Sequence, residues 1–282
     1  MKSSSFLPPL LYEILNMPAK DAGSIVYAPR FLAQFSLPAR NLNSGKFIRR
    51  NGLYTFSVVS PGDTGLPYGI YPRNILIFLA TEVRLTQSGF VDMGVSRAAF
   101  KKRLGVGVGA GSTGPSNKFN DQFKRLFSSE IEIASGTDNN LSVESITFSK
   151  KASAVWNVSS GAMKGVLELE NGFYDDLAKK SFPVDQRVLK FLGHHCLAYD
   201  LYLWLTSRVF NLRKPVIVQW LQLEQQFGNQ LASRSAFKQK FCKALASVKR
   251  IWPKLIAKEH TRGIFLAPCA PHVAVGGGYT CE

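Results

Sequence analysis

The chain of 282 residues lacks any long apolar stretch. Its longest apolar runs, at 75–80 and 265–270, are far shorter than the roughly 20 residues that a membrane-spanning helix needs. The opening MKSSSFLPPLLYEIL is a poor secretion signal, because Pro8, Pro9 and Glu13 interrupt its apolar part and no small-residue cleavage site follows. We therefore expect neither a membrane span nor a cleaved leader.

Cysteine is also scarce. The four cysteines, Cys196, Cys242, Cys269 and Cys281, have wide and irregular spacings, and two of them lie in predicted helices. A small secreted scaffold would instead show a framework of regularly spaced cysteines that pair as disulfides. This pattern favours a reduced protein of the cytoplasm.

Acidic residues are few relative to basic ones. There are 35 Lys and Arg against 19 Asp and Glu, which gives a formal net charge of +16 and a sequence pI near 9.8. Residues 1–170 hold 19 basic and 12 acidic side chains, and residues 171–282 hold 16 and 7, so the excess is not confined to a tail. The apolar content of 45% is sufficient for packed cores. Nucleic acid is the expected partner. A membrane surface is not expected, because no chain end shows a basic helix with a broad apolar face.

Sets of catalytic or cofactor-binding residues are missing. The loop 105–117 contains a G-x-G-x-x-G at Gly109, Gly111 and Gly114. A dinucleotide site needs this motif directly after a strand, whereas here a predicted helix precedes it and no G-K-[ST] ending follows. The loop is better explained as a flexible turn between two helices, with backbone amides available to phosphate.

Metal and nicking chemistry are also poorly supported. His194, His195 and Cys196 are adjacent, so they point about 100° apart on a helix and cannot face one ion together. Tyr199 and Tyr202 lie among leucines, which favours core packing over a DNA-nicking tyrosine. We expect no metal, no cofactor and no enzymatic activity.

Residues 233–252 have the most informative pattern in the chain. They form a predicted helix with six cations and no acid, in which Phe237, Phe241, Leu245 and Val248 fall within about 80° on one side. The opposite side carries these residues: Ser235, Gln239, Lys243 and Arg250. A core-anchored helix with cationic and hydrogen-bonding groups outside is typical of a helix that enters a DNA groove. A solvated basic face is the simpler alternative for a single such helix.

The same order of elements occurs twice, at 71–134 and at 195–267. Each copy predicts a long apolar helix, a short strand, a compact helix, a turn, and an amphipathic helix with two phenylalanines four residues apart; strand-like sequence follows. This order matches a winged helix-turn-helix module. We therefore predict an α+β fold, mainly α, with two tandem winged helix-turn-helix domains.

The predicted domain organisation has three parts. Residues 1–47 form an N-terminal arm, residues 48–164 a first module for backbone contacts and self-association, and residues 165–282 a second module that contacts bases. The candidate DNA-binding residues are Arg234, Ser235, Lys238, Gln239, Lys243, Arg250, Lys258 and Arg262 in the second module, and Lys101, Lys102, Arg103, Asn117, Lys118, Lys124 and Arg125 in the first.

Several blocks, in order, resemble one known family. They are GLPYGIYPRNILIFLATE (65–82), FKRLFSS (123–129), FPVDQRVLKFL (182–192), LAYDLYLWLTSRVFNLRKP (197–215) and APCAPHV (267–273). Together they resemble the RepA-type plasmid-encoded replication initiators over roughly residues 48–273. The glycine-rich loop 105–117 departs from the family, which has a shorter turn there.

This resemblance implies a bacterial cytoplasmic protein that binds direct repeats (iterons) in double-stranded origin DNA through two winged helices. It further implies opening of adjacent AT-rich DNA, recruitment of the host initiator and replicative helicase, and a possible homodimer. Two alternatives remain open at this point. One is a winged-helix transcriptional repressor, and the other is a DNA-nicking initiator enzyme.

Overall fold

The computed structural model describes residues 7–94, 99–100, 103–104, 115–137, 140–148, 166–228 and 233–274. Over these ranges the chain is a mixed α and β protein with nine α-helices. The helices are α1 (Pro9–Asn16), α2 (Arg30–Gln34), α3 (Ile70–Thr86), α4 (Pro115–Ser128), α5 (Asn171–Lys180), α6 (Gln186–Leu192), α7 (Cys196–Asn211), α8 (Trp220–Phe227) and α9 (Arg234–Ile251). The strands are β1 (Ile25–Ala28), β2 (Lys46–Asn51), β3 (Tyr54–Val59), β4 (Phe90–Asp92), β5 (Glu130–Thr137), β6 (Asn140–Ile146), β7 (Val166–Glu168), β8 (Phe182–Asp185), β9 (Val216–Gln219), β10 (Ala257–His260) and β11 (Gly263–Leu266).

The chain folds into two compact units. We call residues 27–182 with 225–229 the central unit, and residues 1–26, 183–224 and 230–282 the terminal unit. The main division thus lies at residues 182 and 183, and not at the expected 164 and 165. The predicted N-terminal arm is divided as well, because residues 1–26 belong to the terminal unit and residues 27–47 to the central unit.

In the terminal unit, the predicted order of elements is present. Helix α7 leads to β9, α8, α9 and a β10–β11 hairpin, and the three strands form one antiparallel sheet in the order β10-β11-β9. Helix α7 is buried along most of its length, with Tyr199, Leu201 and Leu205 fully inaccessible to solvent. Each fully buried side chain of this size contributes about 1.5–3 kcal/mol to the free energy of unfolding.

Helix α9 begins and ends where its sequence predicts. The Ser233 hydroxyl accepts a hydrogen bond from the Ala236 N–H at 3.2 Å, which caps one of the free amides of the first turn. The helix stops at Ile251, one residue before Trp252 and the helix-breaking Pro253. Its apolar stripe is confirmed, because the four predicted core residues Phe237, Phe241, Leu245 and Val248 are all buried.

The central unit is organised around an antiparallel sheet with the order β2-β3-β5-β6. Apolar side chains face each other across β3 and β5, where Val58 is paired with Ile131 and Phe56 with Ile133. The side chains of Ile75, Leu76, Phe78 and Leu79 in α3 are buried, as are those of Phe119 and Phe123 in α4. Both helices therefore contribute to the core of the central unit.

Strand pairing differs between the two units although the order of elements is similar. In the terminal unit β9 joins the following hairpin, whereas in the central unit β4 pairs with β7 and the β5–β6 hairpin joins β3. The reason is the additional β2–β3 hairpin, which supplies a six-residue partner for β5 that the three-residue β4 cannot match.

A buried ionic cluster connects the first helix to the rest of the terminal unit. The Arg187 guanidinium donates to the Met17 carbonyl and the Asp185 carboxylate, each at 2.7 Å, and to the Glu13 carboxylate at 3.3 Å. The Ser24 hydroxyl donates to Asp185 at 2.9 Å. Asp185 and Arg187 are almost completely buried, so these partners are needed to compensate for the loss of water.

Some predictions fall on residues outside the described ranges. These are the glycine-rich segment 105–114, Lys101 and Lys102. Among the helices that the structure does describe, none is long and apolar enough to cross a membrane.

Candidate nucleic-acid interface

The outward face of α9 is polar and open to solvent. Ser235, Gln239, Lys243 and Arg250 are all exposed, on the side opposite to the buried phenylalanines. The sequence predicted this arrangement, and α9 holds it firmly because its other face is packed against α7. Contacts with base edges require side chains that project from a rigid element, and a packed helix provides one.

The cations that flank this face differ in how freely they can reach a ligand. The Arg234 Nε donates to the Glu224 carboxylate of α8 at 2.8 Å, and Lys249 Nζ donates to the Ala257 carbonyl at 3.1 Å. Lys238 Nζ lies 5.3 Å from the centroid of the Trp220 ring. These three side chains therefore have structural contacts, whereas the Lys243 and Arg250 side chains have no partner within the described part of the chain.

The β10–β11 hairpin adds two exposed cations beside α9. Lys258 lies on the sheet face away from the core, and Arg262 lies in the turn. The turn is anchored because the Trp220 N–H donates to the Arg262 carbonyl at 3.0 Å. A side chain at Gly263 would collide with the Val218 carbonyl of β9, so glycine is required where the hairpin meets that strand.

A shallow groove of about 870 Å³ lies between α9 and the hairpin. Its lining includes Ser235, Gln239 and Lys243, which the sequence analysis selected, and Glu259 of β10, which it did not. The sequence signal that indicates the position of Glu259 is the alternation of buried and exposed residues along β10. Ala257 is buried and Lys258 exposed, so Glu259 points to the same side as Ala257, toward α9.

In the central unit, the candidate residues of α4 have different surroundings. Lys118 and Lys124 are exposed, while the side chain of Asn117 lies outside the described residues. The Arg125 guanidinium bonds the Asp121 carboxylate at 2.8 Å and lies over the Tyr68 ring at 5.5 Å. Arg125 is therefore part of the packing of this unit, and its predicted contact with DNA remains a prediction.

Arg103 has a similar structural position. Its guanidinium bonds the Glu82 carboxylate at 2.8 Å and the Asp92 carbonyl at 3.0 Å, and it lies 4.7 Å from the centroid of the Phe78 ring. These contacts hold the Arg103 side chain against α3 and β4. A contact between Arg103 and phosphate would compete with them.

Much of the chain matches one known protein family. The sequence profile described as plasmid-encoded RepA protein matches residues 66–222, which is more than half of the chain. The chain belongs to the plasmid-encoded RepA family. The matched RepA segment runs from the LPYG block to α8 and ends before α9, so the most basic helix lies beyond it.

A solved structure has a similar fold. It is a crystal structure of domain 2 and domain 3 of RctB, with a TM-score of 0.54 and 14% identity, and the match covers 87% of this chain and 97% of that one. No curated protein matches the chain significantly. The resemblance to RepA-type proteins in the sequence is thus confirmed, and the RctB match shows a shared fold.

The two tyrosines of α7 lie in the core of this RepA-family chain. Tyr199 and Tyr202 are fully buried, and the Tyr202 hydroxyl accepts from the Asp185 N–H at 3.1 Å and lies 3.1 Å from His272 Nδ1. Because His272 Nε2 lies 3.2 Å from the Ile251 carbonyl, that nitrogen donates, and Nδ1 accepts from Tyr202. Burial lowers the pKa of His272, and the nearby Arg187 charge lowers it further, while Asp185 opposes the shift. Among the described residues, no group of His, Cys, Asp and Glu could hold a metal ion.

Proposed function

We propose that the protein is a plasmid replication initiator that binds direct repeats in double-stranded origin DNA. Membership of the plasmid-encoded RepA family supports this function. The observation that carries the proposal in the structure is α9, a helix anchored by buried aromatic rings with an outward face of hydrogen-bonding and cationic groups.

Two winged helix-turn-helix modules are the DNA-binding elements in this proposal. In the terminal unit, α8 and α9 correspond to the helix-turn-helix and the β10–β11 hairpin to the wing. The observed sheet order β10-β11-β9, in which the strand before α8 pairs with the wing, supports this assignment. In the central unit, α4 and the β5–β6 hairpin have the corresponding positions along the chain.

Base contacts come mainly from the terminal unit. Gln239 is able to make two hydrogen bonds to adenine, and Lys243 can reach the guanine acceptors O6 and N7. The central unit contributes backbone contacts through Lys118 and Lys124, and it mediates self-association as a homodimer. Asp121 on α4 is paired with Arg125, so fewer free cations remain on that helix, which favours a secondary role for it.

Origin opening needs no catalysis in this mechanism. Bending and untwisting an AT-rich segment costs about 1–10 kcal/mol, which added protein contacts with the deformed DNA can offset. The opened segment then receives the host initiator and replicative helicase, which the bound protein recruits. We propose that the protein has no enzymatic activity of its own.

Quantitative DNA binding tests the proposal. Duplexes carrying the direct repeats of the plasmid origin are compared with shuffled duplexes at one salt concentration. Gln239→Ala should weaken binding to the repeats by about 1–3 kcal/mol and leave binding to shuffled DNA unchanged. Gln87→Ala, at an exposed glutamine that follows α3 and lies outside both proposed helix-turn-helix segments, is the matched control and should bind both duplexes as the wild type does.

Three outcomes would contradict the proposal. Equal losses on both duplexes would show that Gln239 contacts no base. Binding to a single inverted repeat over a promoter, without binding to direct repeats, would indicate a transcriptional repressor. Supercoiled origin plasmid incubated with the protein and magnesium should stay covalently closed while its AT-rich segment becomes sensitive to single-strand probes. A nicked product would indicate an enzyme.

A further inference from the structure

Glu259 has an unexpected position for an acidic residue. It lines the same groove as Ser235, Gln239 and Lys243, and it is the one acidic residue among the described residues of that lining. Its carboxylate has no ion-pair partner in the described part of the chain, although it accepts a hydrogen bond from the Cys242 thiol. A carboxylate without a cationic partner at this place weakens binding to the phosphate backbone, so a DNA-binding face would retain it only if it contributed in another way.

The strand register directs Glu259 toward the helix. Ala257 is paired with Leu266 and Glu259 with Ile264, and residues directly opposite in an antiparallel pair project to the same side. Leu266, Ile264 and Ala257 are all buried against the core. Glu259 lies on that side too, nearer the turn, where its carboxylate emerges from the core beside α9.

Cys242 marks the point on α9 that Glu259 approaches. At 100° per residue, Cys242 lies within about 60° of both Ser235 and Gln239, so it belongs to the outward face. Burial raises the pKa of the Cys242 thiol to about 11, and the negative charge of Glu259 and the hydrogen bond that the thiol donates to its carboxylate add to the rise. The remaining lone pairs of the carboxylate stay available to a ligand. At neutral pH the thiol is therefore protonated, so it adds no second negative charge beside the carboxylate. The bond from Lys249 to the Ala257 carbonyl holds the start of β10 against the same helix.

We propose that Glu259 is a specificity-determining residue of this interface, which accepts a hydrogen bond from the N4 amino group of a cytosine in the major groove. This inference rests on the proposed function. Of the four bases, cytosine alone presents an amino donor in the major groove without an adjacent acceptor. Adenine places its N7 acceptor beside N6, and guanine and thymine present O6 and O4, all of which repel a carboxylate.

Selection from a pool of randomised duplexes tests this role. The full-length protein and Glu259→Gln are each used to enrich bound sequences. The wild type should enrich a site with one cytosine position that disfavours other bases by about tenfold. In Glu259→Gln that position should change to adenine, because a glutamine amide both donates and accepts, and the other positions should be unchanged. Asp63→Asn, which removes the same charge on the central unit, should keep the cytosine.

The outcomes separate this inference from the function on which it rests. If the wild type enriches no sequence, the proposed DNA-binding function fails. If the wild type enriches a site and Glu259→Gln enriches the same site with the same preferences, Glu259 selects no base. Binding of shuffled duplex provides a second measure, since Glu259→Gln should bind it more tightly than the wild type. Weaker binding of shuffled duplex would also overturn the inference.

Discussion

Arg250 and Arg262 provide a quantitative test of how the terminal unit meets DNA. Both side chains are exposed and have no partner in the part of the chain that the structure describes, one on α9 and one in the turn of the β10–β11 hairpin. Arg234, by contrast, is paired with Glu224. We expect the two free guanidinium groups to bind phosphates, and we propose the double substitution Arg250→Gln with Arg262→Gln.

The expected magnitude follows from counterion release. Each lost phosphate contact reduces the slope of log K against log salt by about 0.9, so the double variant should have a slope shallower by about 1.8. Between 50 mM and 200 mM salt, a difference of that size narrows the gap in affinity between wild type and variant by about 12-fold. The loss should be the same for direct-repeat and shuffled DNA, because phosphate contacts carry no sequence information.

The assay is fluorescence anisotropy with labelled duplexes over a salt series. The matched control is Arg30→Gln with Arg213→Gln, which removes the same charge from two exposed arginines outside the predicted interface and should leave the slope within about 0.5 of the wild type. Parallel slopes for wild type and the Arg250 and Arg262 variant, with equal weakening at every salt concentration, would refute the assignment of these side chains to phosphates.

Three further predictions concern stability and the central unit. Gly263→Ala should lower the free energy of unfolding by about 2–4 kcal/mol in denaturant titrations, whereas Gly45→Ala, where a Cβ makes only a 3.6 Å contact, should cost less than about 1 kcal/mol. Burial lowers the pKa of His272 below the 6.5 of the unfolded chain, so the unfolded state takes up the proton first and thermal stability should fall as pH drops below about 6.5. A fall of the same size in His272→Gln would contradict this. In DNA-binding measurements over a salt series, Lys124→Gln should make the slope of log K against log salt shallower by about 0.9, with unchanged stability. In denaturant titrations, Arg125→Gln should lower the free energy of unfolding by about 1–2 kcal/mol.

Local sequence patterns predicted the elements of the terminal unit closely. The helical spacing of the phenylalanines predicted α9, and the strand-like sequence that follows this helix forms the β10–β11 hairpin. These features depend on neighbours a few residues apart, which a sequence displays directly. The β2–β3 hairpin was also predictable, since Asn51-Gly52 between two strand-like runs is a strong hairpin signal, but it is not among the elements predicted above.

The environment of individual cations could not be predicted in the same way. Arg103 and Arg125 have side chains that suit phosphate binding, and the i,i+4 pair of Arg125 with Asp121 is visible in the sequence. The contacts of Arg103 with Glu82 and of Arg125 with Tyr68 join different elements, and sequence spacing does not indicate them. The pairing of β4 with β7 bridges more than 70 residues and includes only three residue pairs, so no local pattern marks it. These contacts depend on the tertiary fold, which local patterns in a single sequence do not reveal.

The division of the terminal unit between both ends of the chain has a consequence for biosynthesis. Helix α1 and Ser24 leave the ribosome first, but their partners Asp185 and Arg187 follow more than 160 residues later. At elongation rates of about 5–20 residues per second, these partners follow the α1 segment after an interval on the order of ten to thirty seconds. Residues 27–182 of the central unit are synthesised during this interval. Helix α9 is translated later still, so a nascent chain released before residue 233 would lack the helix that we propose to bind DNA.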